Sequence, residues 1–161
     1  MHDGREVANY VLDYCHSKGR RISNLPLQKI VYFCHVWSLI KLGKPLIKHK
    51  FEAWEYGPVL QYLYHEFKVF EAAPITARAM RINSKTGKKE EAVARFDEET
   101  RKFLEEPVEF YSRMDAGSLV ELSHAKGGPW DKVWNHAGKV NPGMQIDDAE
   151  IVRYYSSLKH S

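Results

Sequence analysis

Histidine, cysteine and carboxylate side chains are where this chain could do chemistry, and it carries eight histidines and two cysteines. His65-Glu66 begins like the helical zinc-protease motif, in which two histidines four residues apart hold the metal and the glutamate activates water. Position 69 is Val69, so the second ligand is missing. No two histidines lie three to five residues apart and no paired-cysteine motif occurs, so the spacing offers no metal site. Cys34-His35 sets a nucleophile beside a base, but neighbours on a helix point about 100° apart and cannot serve each other. Cys15 or Cys34 could meet His124 only through the fold, and both thiols lie in apolar helical patterns, where a thiol is inert. A phosphate-cradling glycine loop and a nucleophile elbow are both absent. His124 has three readings. It is an active-site base at a helix end, or a cap whose imidazolium meets unpaired carbonyls, or a prop for the turn at 127–129. The two structural readings are preferred, and the chain is read as a non-enzyme with no catalytic residue, metal or cofactor.

The strongest local signals define shape. Phe51-Glu52-Ala53-Trp54-Glu55-Tyr56-Gly57-Pro58-Val59 and Ser123-His124-Ala125-Lys126-Gly127-Gly128-Pro129-Trp130 each set aromatics beside a glycine and a proline. Glycine reaches backbone angles closed to other residues and proline fixes its own φ, so each block marks a defined turn with aromatics packed on it. Such joints point to binding.

Helices must position these joints. Asp3 and Glu6 have capping-box spacing, and Val7, Val11, Tyr14 and Cys15 follow at helical intervals, so a first helix is predicted over residues 5–17. Ser23 or Asn24 caps a second, with Pro26 in its first turn and Leu27, Ile30, Val31, Cys34 and Trp37 on its apolar stripe; Gly43 and Pro45 stop it. Residues 51–55 read as a short extended segment. Pro58 is predicted to open a third helix carrying Leu60, Leu63, Tyr64 and Phe67. Residues 79–82 and 92–96 flank a polar, glycine-containing stretch, which predicts a β-hairpin near 78–96. Asp97 caps a fourth helix, in which Pro107 predicts a kink or a restart. A fifth runs over 116–124 and is stopped by Gly127, Gly128 and Pro129; residues 130–134 add one further turn. Asp147 and Glu150 open a last helix with Ile151, Tyr154, Tyr155 and Leu158. The fold class is mainly α (α+β): one helical domain over residues 1–161, with about six helices and one small hairpin.

Composition agrees. Hydrophobic residues make up 43% and aromatics 12% of 161 residues, enough for one domain with an aromatic-rich core. The net charge of +3 falls short of a nucleic-acid-binding domain, and the basic runs at 18–21 and 41–50 lack interleaved aromatics. The stretch 25–42 carries only Lys29 and Lys41, too few for phosphate contacts by a recognition helix. The N-terminus does not read as a signal peptide, and the apolar run 30–40 is broken by His35 and too short for a membrane. The expectation is a cytoplasmic protein with no membrane partner, whose cysteines are free.

Taken in order, Ala8-Asn9-Tyr10-Val11-Leu12, Leu25-Pro26-Leu27-Gln28-Lys29-Ile30-Val31-Tyr32-Phe33, the Phe51-to-Val59 block, Leu63-Tyr64-His65-Glu66-Phe67, Leu119-to-His124 and Gly128-Pro129-Trp130 resemble the SocA-like antitoxin family, also called the Panacea domain. The resemblance spans residues 7–134, and the last helix fits it as well. It implies a bacterial or prophage antitoxin, a single helical domain that binds and neutralises a cognate protein toxin encoded beside it. One branch resembles a proteolytic adaptor, which adds a protease as a partner; autoregulation of an operon by DNA binding is the other alternative. The interruption at Pro107 and the basic tip at 85–89 depart from the family pattern.

A partner surface needs an apolar centre with aromatic anchors. Trp54 and Tyr56, alternating on an extended segment, are predicted to share one face, and Glu55, at an exposed position between them, together with Tyr62 and Glu66 along the third helix, to border the partner surface. Gly57, Pro58, His124, Gly128, Pro129 and Trp130 are read as the structural joint behind it. The competing reading places the aromatics in the core and the interface elsewhere.

Overall fold

A computed structural model describes residues 1–135 and 142–158; His136 and His160 lie outside them. In chain order the elements are α1 (Gly4–Ser17), α2 (Asn24–Trp37), β1 (Phe51–Trp54), β2 (Gly57–Val59), α3 (Gln61–Phe67), β3 (Met80–Ile82), β4 (Lys89–Glu91), α4 (Glu98–Ser112), α5 (Ala116–Ser123), α6 (Pro129–Trp134), β5 (Gln145–Ile146) and α7 (Asp148–Leu158). The fold is α+β and mainly helical, as the periodicity indicates. None of these helices is long and apolar enough to cross a membrane.

The second helix is the axis of the molecule. Its residues from Leu27 to Val36 are all buried, and α1, α3, α4, α5, α7 and β2 pack around it. A surface helix shows one apolar stripe, whereas one covered on every side needs apolar residues all round. That is why seven of the ten residues from Leu27 to Val36 are apolar, and the three polar ones, Gln28, Lys29 and His35, all have hydrogen-bond partners. A single π-helical turn, Ser38–Leu42, continues it, and Gly43 ends it at φ +68°. Aromatics fill the space around the axis: Tyr32 meets Phe51 edge-on at 5.2 Å, and Phe33 stacks on Tyr111 at 4.5 Å.

Polar ties fix the helices around it. The His35 ring accepts from the Ile47 amide through Nδ1 and so donates through Nε2 to Asp148, at 2.8 Å, which pins α7 to α2. Arg20 grips Glu109 with two nitrogens at 2.9 Å and joins the end of α1 to α4. Helix α4 is capped by Asp97 and runs through Pro107 without a restart. Pro107 is itself buried in a turn where Leu104, Val108 and Tyr111 pack inward, so tertiary contacts hold the helix across the missing N–H. The thiols of Cys15 and Cys34 are free and buried, and burial pushes both up from the usual thiol range.

The strands differ from expectation in one place and match it in another. Pro58 does not open a helix. It sits in β2 opposite Ala53, and the pairing of Trp54 with Gly57 leaves Glu55 and Tyr56 as a two-residue turn. Strand β2 is an edge of the β2-β1-β5 sheet, and a proline, having no N–H to give, is tolerated there. Strand β5, two residues long, carries no sequence signal; it pairs Ile146 with Phe51. The second hairpin, β3–β4, lies within 78–96 as predicted. Asn9 of α1 anchors it. Its Oδ1 accepts from the Ala79 amide at 2.8 Å, and its Nδ2 donates to the carbonyls of Ala79 and Ala92 at 3.0 and 2.8 Å.

That anchor makes a first prediction. Asn9→Leu leaves buried backbone groups of both strands without partners, and the expected loss is about 2–4 kcal/mol by urea unfolding. The Ala79 amide should lose its hydrogen-exchange protection, while amides of α2 keep their rank order. Equal loss of protection everywhere would mean that Asn9 does not act locally.

Candidate functional site: the Gly57 joint and the groove beside it

Three polar side chains of the buried α2 region serve the backbone of residues 57–64. Lys29 Nζ donates to the Pro58 carbonyl at 2.7 Å, and Gln28 Oε1 accepts from the Leu60 amide at 3.1 Å. Gln28 Nε2 donates to Asn24 Oδ1, and Asn24 Nδ2 donates to the Tyr64 carbonyl at 3.0 Å. This segment crosses α2 as an edge strand that becomes a helix, so neither ladder nor helix satisfies these groups. A buried backbone group without a partner is costly, and the axis supplies the partners. Sequence reasoning missed Lys29 as a core residue and counted it among surface cations. The available signal was its place in an otherwise apolar run.

Gly57 makes the crossing close. Its φ is +113°, and a Cβ there would lie 2.5 Å from Ser123 Oγ and 2.6 Å from Lys29 Cε. No other residue fits. Across Gly57 stands the end of α5. Here His124 departs from both structural readings: its ring caps no carbonyl and props no turn. It stacks on Trp130 at 3.7 Å and 7°, with Nε2 buried and unpartnered. The turn is held instead by Gly128 N–H to the Ala125 carbonyl and Gly127 N–H to Asp131. Pro129, predicted only as a stop, is the first residue of α6, where its missing N–H costs nothing. Trp130 Nε1 donates to the Trp54 carbonyl at 2.7 Å and locks the two aromatic blocks together.

Burial lowers the pKa of Lys29 to about 7, and burial followed by the nearby Lys29 lowers that of His124. Serine, lysine and histidine at one point are the residue types of acyl transfer. Yet Lys29 is fully buried, Ser123 nearly so, and Ser123 Oγ is committed to the Val120 carbonyl at 2.8 Å. Lys29 and Ser123 thus have almost no solvent contact and pack the joint from within.

The outer side of the joint is different. A mainly apolar groove of about 780 Å³ runs between the start of α2, the Trp54–Tyr56 turn and α3. Leu25, Pro26, Trp54, Tyr56, Val59 and Tyr64 line it, with Glu55, Lys68 and Glu71 at its margins. The Trp54 ring is half-buried against Tyr64 at 5.1 Å, while Tyr56 is 58% exposed. Trp54, Glu55 and Tyr56 line this groove together, but Tyr56 belongs to a turn, so the expected strand alternation does not apply. Tyr62 and Glu66 point the other way. Tyr62 accepts from the Gly4 amide at 2.8 Å and Glu66 from the Met80 amide at 2.9 Å, so both are spent on α1 and the β3–β4 hairpin. The helix explains the split: residues four apart share a face, and Tyr62/Glu66 and Tyr64/Lys68 lie on opposite ones. His65 is exposed beside Trp54, and no group of three metal-binding side chains occurs among the described residues.

A DNA-recognition role for α2 fails on burial. Its Lys29 is inside, and Lys41, just beyond the helix, sits over the Trp37 ring at 4.6 Å.

Residues 27–131 match the family model described as antitoxin SocA-like, Panacea domain. That span includes Lys29, the Trp54–Pro58 turn, Ser123, His124 and Trp130. The chain is also 37% identical over 150 residues to the antitoxin SocA of Caulobacter vibrioides (strain NA1000 / CB15N), covering 92% of this chain and 80% of that protein. No solved structure matches it.

Two predictions follow from the joint. Gly57→Ala combines an unfavourable φ with overpacking against Lys29 and Ser123, and should lose about 2–5 kcal/mol by chemical unfolding. A variant as stable as the native chain would show that the close approach relaxes freely. The second concerns pH. Above the ordinary lysine value of 10.5 both folded and unfolded states hold Lys29 neutral. As pH falls towards about 7, the unfolded chain takes up a proton that the folded chain refuses, so folding loses stability; below that the loss is constant. The native chain should therefore gain stability between pH 7.5 and 9.5 relative to Lys29→Met, by roughly 1 kcal/mol per pH unit. Parallel stability–pH curves would exclude Lys29 as the cause.

Proposed function

The chain belongs to the SocA-like antitoxin, Panacea-domain family, and from that premise we propose that it is the antitoxin of a toxin–antitoxin pair. It neutralises a cognate protein toxin encoded nearby by seating part of that toxin in the groove beside the Trp54–Gly57 turn. One observation carries this reading: an exposed tyrosine, Tyr56, stands at the mouth of an apolar groove whose floor is rigid. Lys29, Gln28 and Trp130 fix the backbone on which that tyrosine is mounted. An aromatic anchor held in place before binding loses little conformational freedom when it binds. The Gly57 joint acts through shape, which supports neutralisation by binding in the cytoplasm without catalysis. Simple masking and delivery to a protease both begin with the same docking step. The toxin's half-life in cells separates them, since only delivery shortens it.

The test is binding to the protein encoded by the adjacent reading frame, once its expression alone proves toxic. Tyr56→Ala should weaken binding by about 30-fold, near 2 kcal/mol, and should restore toxicity on co-expression. Glu55→Lys should also weaken binding, with the folded state unaffected because the side chain is exposed. Glu66→Lys should behave oppositely. It strips the Met80 amide of its acceptor, so about 1–2 kcal/mol of stability is lost while toxin affinity is retained. Unchanged affinity in both Tyr56→Ala and Glu55→Lys would remove the groove from the interface.

A further inference from the structure

On the far side of α3 from the groove, the chain presents a surface of different chemistry. Two adjoining depressions there share Arg81 and Ile82. One runs along the β3–β4 hairpin to Val93 and Arg95, and the other reaches Lys48. Ile82 is 67% and Val93 60% exposed, an unusual state for β-branched side chains on adjoining extended segments. Around them stand Lys48, Lys85, Lys88, Lys89 and Arg95, all exposed and none in an ion pair among the described residues. The carboxylates nearby are mostly committed. Asp3 is bound by Arg5, and Glu6 and Glu90 by Arg81, which leaves Glu91 as the uncommitted acid lining this surface. Many charges elsewhere in the described residues are paired, whereas this face gathers five unpaired cations around two exposed apolar side chains.

We propose that the β3–β4 hairpin and the loop carrying Lys48 form a second docking surface, which binds an acidic segment of a protein partner with apolar residues between its carboxylates. This goes beyond the antitoxin reading and does not depend on it, because the face shares no residue with the groove. Charge complementarity selects an acidic occupant and steers its approach. Ile82 and Val93 select a protein chain over nucleic acid. No aromatic side chain lines these depressions for base stacking, and Glu90 and Glu91 lie on the strands where a regular row of phosphates would pass. A peptide can place its carboxylates to avoid them. The hairpin is anchored beneath by Asn9 and Glu66, so it offers a fixed platform.

The experiment uses the full chain and a fluorescein-labelled peptide of about ten residues repeating Glu-Glu-Leu-Leu, which as an extended strand carries glutamate and leucine alternately on each face. Binding is followed by anisotropy at low salt. The native chain should bind saturably. The variant Lys85→Glu/Lys88→Glu/Arg95→Glu should bind at least roughly tenfold more weakly, and Ile82→Ser roughly threefold. Tyr56→Ala should bind as the native chain does, which separates this face from the groove. These positions are exposed, so circular dichroism should be unchanged in each. The proposal is overturned by absence of saturable binding, or by binding that the triple variant leaves intact. Equal affinity for an all-glutamate peptide also overturns it, reducing the face to a generic polycation. Tighter binding of a DNA duplex of about 20 base pairs at the same salt overturns it in favour of nucleic acid.

Discussion

A lysine ammonium with no solvent contact, bonded to the carbonyl of a proline in an edge strand, holds the centre of this protein. Removing a lysine from water is among the costlier things a fold can do, and a single carbonyl offsets only part of that cost, so burial lowers the Lys29 pKa to about 7. The arrangement follows from geometry. The 57–64 segment crosses α2 too closely for any side chain to intervene, and Gly57 permits that approach only because it has no Cβ and takes a positive φ. Once the crossing exists, its carbonyls and amides need partners from α2, and Lys29, Gln28 and Asn24 are the side chains within reach.

The same crossing fixes the two aromatic blocks relative to each other. Trp130 donates to the Trp54 carbonyl, and His124 stacks behind Trp130, so the end of α5 and the first hairpin form one rigid body with the axis. His124 is neutral in character because burial and Lys29 both disfavour its protonation. The residue that most resembles a catalytic base is thus a flat spacer between an indole and a buried amine. The burial that packs its ring against Trp130 is also the main cause of its lowered pKa.

Both surfaces proposed for binding lie on the outside of this body. Helix α3 divides two surfaces by its own periodicity. Tyr64 and Lys68 look towards the apolar groove, while Tyr62 and Glu66 tie the helix to α1 and to the basic hairpin. A short helix with both faces committed has little freedom to move. The groove and the hairpin face are therefore presented at a fixed separation, an arrangement suited to recognition by shape.

The sequence by itself determined the helices, their caps at Asp3 and Asp97, the hairpin within 78–96 and the family, because period, capping spacing and ordered motifs are local properties. It also marked Trp54, Glu55 and Tyr56 as one exposed block, although it read an extended segment where the structure makes a two-residue turn. It did not reveal that Pro58 is a strand residue, because proline suits a helix start and an edge strand equally well by its fixed φ. It did not reveal β5, too short for any period, nor the continuity of α4 through Pro107, which burial of the surrounding turn maintains. Above all, Lys29 and Glu66 read as solvent-facing charges. Only the tertiary structure decided that one is buried under a strand and the other spent on a hairpin amide. The reason is physical: the partner of each is a backbone group far away in sequence, and backbone groups look alike at every position.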